Sequence, residues 1–131
     1  MLRLILVIPL IGHGLAHISG FVASWTNNDA GFAPRPWIFS SRVSLGSPLG
    51  KVFGLVWLAA SASLTASGVG LILQQHWWVT AALLGSILSL VVILPWWNSV
   101  PPGARIGAAF DVVLLLLLAT PLKETALRYL V

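Results

Sequence analysis

Two histidines and one aspartate are the side chains of this sequence that could do chemistry in an apolar environment. His13 and His17 lie four residues apart, in the run His-Gly-Leu-Ala-His, within a long hydrophobic segment. Residues at this spacing share one face of an α-helix, so both imidazoles point to the same side. Asp111 is the only acidic residue of a later hydrophobic segment. Because ionisable groups are costly in a bilayer, these three residues mark the first place to look for a function.

The composition indicates an integral membrane protein. Of 131 residues, 58% are hydrophobic, 8% are charged and seven are tryptophan, a balance that is not typical of a soluble domain. The formal net charge is +4, but the few charges lie mostly near the ends of apolar segments, where lipid head groups would meet them. We therefore expect the lipid bilayer as a partner and no nucleic acid. Cysteine is absent, which excludes disulfides and thiolate metal sites.

Four segments are apolar enough to cross a hydrocarbon core of about 30 Å as helices. We predict an all-α fold, a four-transmembrane-helix bundle that forms a single integral membrane domain over residues 1–131. The predicted spans are approximately 2–25, 52–73, 77–97 and 102–120, with a long loop over 26–50 and an interfacial tail over 121–131.

The long loop contains prolines and glycines, which argue against a helix, and three interspersed aromatic residues. These are Phe32, Trp37 and Phe39. The loop is either a simple connector or a cap that folds over the mouth of the bundle, and both interpretations stay open.

The basic residues nearly balance across the predicted membrane: Arg3, Lys123 and Arg128 on one side, and Arg35, Arg42, Lys51 and Arg105 on the other. Because Arg3 adjoins the first span, the distribution favours both termini in the cytoplasm. We expect a multi-pass protein of the cell membrane.

Helix geometry places Asp111 at the depth of the two histidines. At a rise of 1.5 Å per residue, His13 lies about 15 Å and His17 about 21 Å from the Leu2 end of the first span. In an antiparallel fourth span, Asp111 lies roughly 16 Å from the same side. We therefore predict that the first and fourth spans bring the three residues together. Four serines, Ser61, Ser63, Ser86 and Ser89, lie near this level, but serines in membrane helices more often bond to their own backbone.

Small residues spaced by four are typical of close helix–helix contacts in membranes. Gly12, Ala16 and Gly20 form such a stripe beside the histidines, and Gly103 and Gly107 form another on the face of the predicted fourth span that carries the aspartate. We interpret the first stripe as a packing surface. Such stripes could serve self-association or another membrane-protein partner as well as internal packing.

Three interpretations of the predicted cluster stay open. His13, His17 and Asp111 could be ligands of a transition metal such as Zn, Cu or Fe, or contact a small ligand. They could move a proton or an ion. They could also form a hydrogen-bonded clasp in a structural or assembly subunit. Haem is disfavoured, because two ligands on one face of one helix cannot reach opposite sides of a porphyrin. We predict no catalytic residue, and a role that is not enzymatic is favoured.

The chain resembles small bacterial four-span membrane proteins that carry a His-Gly-x-x-His pattern in their first helix. The resemblance includes His13 and His17, the segment Gly54-Leu55-Val56-Trp57-Leu58-Ala59-Ala60, and a single aspartate in the last span. A weaker similarity, in size and span count, links it to four-helix oxidoreductase-associated subunits of the DoxX type. The resemblance implies the architecture and no activity.

Overall fold

The computed structural model describes residues 2–33 and 42–130, and these residues contain helices and no β-strand. The helices are α1 (Leu2–Ala16), α2 (Ile18–Trp25), α3 (Pro48–Ile72), α4 (Trp78–Ile93), α5 (Pro102–Leu118) and α6 (Leu122–Leu130). The predicted all-α fold is confirmed. Trp37 and Phe39 of the predicted loop lie outside the described residues, so the cap interpretation is not addressed at those two positions.

The first predicted span is one apolar helix with a tight turn at His17. The backbone N–H of His17 donates to Gly14 O over 3.2 Å, and that of Gly20 donates to His17 O over 3.1 Å. Both bonds join residues three apart, as in a 3₁₀-helix, and separate α1 from α2. The turn leaves the backbone carbonyl of His13 without its usual helical donor, and the side chain of His17 donates to it instead.

Helix α3 begins earlier than the sequence predicts, at Pro48 instead of position 52. Ser47 caps the helix, since its Oγ accepts a hydrogen bond from the N–H of Gly50 at 3.2 Å. Pro48 lies in the first turn, where a backbone N–H has no helical acceptor, so the missing N–H of proline costs nothing. Helix α4 ends earlier than predicted, at Ile93. Pro95 follows closely and cannot donate to the helical ladder, which favours this end.

The helices pack in chain order around a layer of buried polar side chains, which includes His17, Ser86, Ser89 and Asp111 and is called the polar layer. Helices α1 and α2 pack on α3, α3 packs on α4, and α4 packs on α5, whereas α5 lies only loosely against α1. Two buried apolar clusters lie on either side of the polar layer. The one at the level of Val7 and Leu10 is called the lower cluster, and the one at the level of Phe32 and Trp57 is called the upper cluster. The lower cluster is defined by Val7, Leu10, Leu64, Leu71, Trp78, Val79, Ala82, Leu114 and Leu118. The upper cluster is defined by Phe32, Trp57, Val92, Ile93, Trp96, Val100 and Ala108.

Two helical stretches among the described residues are both long and apolar enough to cross a bilayer. They are Leu4–Trp25, near the N-terminus, and Pro48–Ile72. Helix α4 is apolar but has 16 residues, a length of about 24 Å. The four-span topology therefore stays a prediction.

The small-residue stripe on the first span is only partly a packing surface. A Cβ atom built on Gly20 would overlap the indole ring of Trp57, so this glycine permits a close helix contact. Gly12 is exposed and has open space where a Cβ would lie, and Ala16 is exposed as well. The packing interpretation is therefore wrong for Gly12 and Ala16, because the adjoining helix contacts the C-terminal part of the stripe only.

We expect Gly20→Ala to lower the free energy of unfolding by about 1–3 kcal/mol, because the added methyl group overpacks the contact with Trp57. Gly12→Ala is the matched control and should be neutral or stabilising by roughly 0.5–1 kcal/mol, since alanine is the better helix former. Thermal unfolding of both variants in one detergent, followed by circular dichroism, measures the difference. Equal effects of the two substitutions would contradict the packing described for Gly20.

Candidate functional site

A hydrogen bond between α1 and α5 joins two residues that are far apart in the sequence. His13 Nε2 lies 3.0 Å from Asp111 Oδ2. The Asp111 side chain is fully buried, and that of His13 is 10% exposed. The contact predicted from helix depth is thus confirmed for this pair. The second carboxyl oxygen, Asp111 Oδ1, is also buried and has no hydrogen-bond partner among the described residues.

Ser89 of α4 connects the histidines to the aspartate. Its Oγ lies 2.8 Å from His17 Nε2, 3.4 Å from His13 Nε2, and within hydrogen-bond distance of Asp111 Oδ2. Both Ser89 and His17 are buried. We call His13, His17, Ser89 and Asp111 the polar cluster. Sequence reasoning placed Ser89 at the right depth but did not assign it a contact with the histidines.

The remaining contacts of the polar cluster fix the two imidazole rings. His17 Nδ1 donates to the carbonyl oxygen of His13 at 2.9 Å, across the turn between α1 and α2. The two imidazoles meet edge to face with their centroids 4.5 Å apart, and the His17 ring lies 5.3 Å from that of Trp57. A Cβ on Gly107 would overlap the His13 ring, so this glycine leaves the room the ring needs.

The bonds of the polar cluster are satisfied together by two proton arrangements. A His17 ring that donates from Nδ1 and is neutral offers a lone pair at Nε2, which needs the single hydroxyl proton of Ser89. A neutral Asp111 then donates to Ser89. Alternatively, an imidazolium at His17 donates to Ser89, and Ser89 donates to an ionised Asp111. The two arrangements contain the same number of protons and differ by the shift of two protons along existing bonds.

The hydrogen bonds bear on the predicted metal ligands His13, His17 and Asp111. Both nitrogens of His17 and the Nε2 of His13 already take part in hydrogen bonds. Within residues 2–33 and 42–130, no group of three His, Cys, Asp or Glu side chains is arranged to hold a metal ion. Metal binding would require the His17 ring to exchange its partners, and the metal assignment stays a prediction.

A cleft of about 290 Å³ adjoins the polar cluster. It lies between α1 and α2 on one side and the start of α5 on the other, where these helices are loosely packed. Its wall includes His13 and His17, the aromatic side chains of Phe32 and Trp57, and the backbone of Gly103. The segment that carries Phe32 is tied to the α4–α5 connection, because the N–H of Ala33 donates to the Ser99 carbonyl at 2.8 Å. The cleft is therefore lined by the two histidines of the polar cluster, while Ser89 and Asp111 lie buried behind them.

Comparisons of the chain with protein-family models, with curated proteins and with solved structures found no match. The fold and site by themselves define a class, an all-helical protein with a buried His-His-Ser-Asp cluster beside a cleft.

We expect Ser89→Ala to lower the free energy of unfolding by about 1–3 kcal/mol, because it leaves the buried Nε2 of His17 without a partner and removes one of the two hydrogen bonds of Asp111 Oδ2. Ser86→Ala is the matched control on the same helix. Ser86 is equally buried, and its hydroxyl has no hydrogen-bond partner among the described residues, so its removal should cost little. Thermal unfolding in detergent compares the two variants. An equal loss in both would show that the Ser89 bonds do not hold the polar cluster together.

Proposed function

We propose that the chain is a four-span integral membrane protein. Two stretches of sufficient length, Leu4–Trp25 and Pro48–Ile72, support this proposal. The outward faces of the described helices support it too, since Ile5, Ile8 and Ile106 are 69–75% exposed. Water would meet large apolar patches on such a surface, whereas lipid tails solvate them. Helices α4 and α5, of 16 and 17 residues, provide the third and fourth crossings.

The polar cluster of this bundle serves to bind a small molecule in the adjoining cleft. The observation that carries this proposal is that two members of the polar cluster, His13 and His17, line a cleft. A concave site with mainly apolar walls and a few convergent polar groups is the usual form of a small-molecule site. Phe32 and Trp57 supply the apolar walls, and His13 and His17 supply the polar groups.

Proton movement is a second candidate function, and the continuous bonds from Asp111 through Ser89 to His17 favour it. The cleft gives access to this chain of bonds from the upper side. Below the polar layer, Leu10, Leu64 and Leu114 of the lower cluster are fully or almost fully buried. These buried side chains close the lower side of the polar layer. They therefore argue for a site that is reached from one side and against an open path through the bundle.

Single cysteines can test the topology, because the chain contains none of its own. We expect Asn28→Cys and Trp97→Cys to react with a membrane-impermeant maleimide from one side of the membrane. Gln75→Cys and Glu124→Cys should react from the other side. All four native side chains are exposed. Labelling of Gln75→Cys and Trp97→Cys from the same side would contradict a crossing by α4.

Native mass spectrometry of the protein in lipid nanodiscs, combined with elemental analysis, tests the binding proposal. We expect the wild type to carry a small organic molecule that Gly103→Leu loses, because the leucine side chain fills the cleft. Gly12→Leu adds the same side chain away from the cleft and should retain the molecule. A metal present in the wild type and lost in the His13→Ala/His17→Ala variant would support the interpretation of the histidines as metal ligands. Neither molecule nor metal in any sample would favour the structural clasp.

A further inference from the structure

The two nitrogens of His13 have different surroundings. Nε2 bonds to Asp111, but Nδ1 makes no hydrogen bond with any residue that the structure describes. His13 is also the partly exposed histidine of the polar cluster, and its ring lines the cleft. Both nitrogens of His17 are bonded inside the protein. His13 Nδ1 is therefore the imidazole nitrogen of the polar cluster that has no partner among the described residues, and it belongs to a ring that lines the cleft.

The bond to Asp111 decides what His13 Nδ1 offers to a molecule in the cleft. A carboxyl oxygen accepts the Nε2 proton, so a neutral His13 ring carries its proton on Nε2 and a lone pair on Nδ1. A lone pair accepts hydrogen bonds and does not donate them. The complementary group on the ligand is consequently an O–H or N–H donor.

The other walls of the cleft indicate the rest of the ligand. Phe32 and Trp57 present aromatic side chains, whose rings pack well against a flat apolar body. A charged ammonium donor would lose its hydration among these walls without gaining a carboxylate partner among the described lining residues, so a neutral hydroxyl is favoured. The volume of about 290 Å³ lies just below the range of about 300–1,000 Å³ for small-molecule sites, which favours a compact ligand.

We propose that the cleft binds a compact, lipid-soluble hydroxyl compound of the phenol class, whose O–H donates to His13 Nδ1 while its ring packs against the wall that Phe32 and Trp57 form together. This inference rests on the proposed ligand-binding function and adds the chemical class of the ligand. Gly103 contributes by leaving space, since no described residue lies within 4 Å of the point where its Cβ would stand.

A matched pair of probes tests the proposal. Para-tert-butylphenol has the donor, and its methyl ether, para-tert-butylanisole, has nearly the same shape without the donor. Binding is measured as the probe retained by nanodiscs that contain the full chain, minus the probe retained by empty nanodiscs of the same lipid. We expect the phenol to bind roughly tenfold more tightly than the ether, because one hydrogen bond is lost in the ether.

Two variants locate the effect. His13→Gln keeps an N–H donor near the position of Nε2, and so the contact with Asp111, but has no acceptor near Nδ1. We expect the ratio of phenol to ether affinity to fall to about one in this variant, with a thermal midpoint close to that of the wild type. Gly103→Leu leaves the polar cluster intact and should abolish binding of both probes, whereas Gly12→Leu should change neither affinity.

The outcomes separate this inference from the proposed function. Equal binding of phenol and ether to the wild type, abolished by Gly103→Leu, would overturn the hydroxyl inference and leave the cleft a binding site. A preference for phenol that persists in His13→Gln would overturn the role of His13 Nδ1. Absence of binding of either probe to the wild type, at levels above empty nanodiscs, would count against both proposals.

Discussion

The buried carboxyl group of Asp111 is the constraint on which the rest of this structure depends. A carboxyl group removed from solvent is costly unless neighbouring groups hydrogen-bond to it or share its proton. His13 of α1 and Ser89 of α4 provide these bonds, so one side chain fixes three helices relative to each other. The connection between α1 and α5 depends on it most, since these helices otherwise pack loosely. A polar contact thus joins α1 to α5 above the lower cluster, in which the two helices share apolar side chains.

The same loose seam explains the cleft. Where α5 starts, Gly103 has no side chain to fill the space, and one turn further Gly107 admits the His13 ring. The α1–α5 hydrogen bond and the cleft therefore arise from one arrangement. The His13 ring bonds to Asp111 and also lines the cleft. Under the proposed function, a molecule in the cleft would contact a side chain that also holds the bundle together. Binding and bundle stability are expected to be linked for that reason.

The turn at His17 adds the second imidazole to this arrangement. Because the backbone tightens there, the ring reaches back to the His13 carbonyl and forward to Ser89. The two bonds hold the ring in one orientation and link it to Asp111 through a hydroxyl that can pass a proton in either direction. The apolar clusters above and below keep this polar layer short. The hydrogen bonds of the layer are consequently confined to a few adjoining side chains.

The sequence by itself determined the helical class and the meeting of His13 with Asp111. Composition and the fixed rise per residue suffice for these, because depth along antiparallel helices follows from counting. It did not single out Ser89, since depth does not fix the rotation of α4, and serines compete for their own backbone, as Ser24 does by donating to Gly20 O. Only the tertiary structure decided that Gly20 packs while Gly12 stays open, and that α1 and α5 separate into a cleft. Those features depend on how helices pack against each other, which spacing within one helix does not specify.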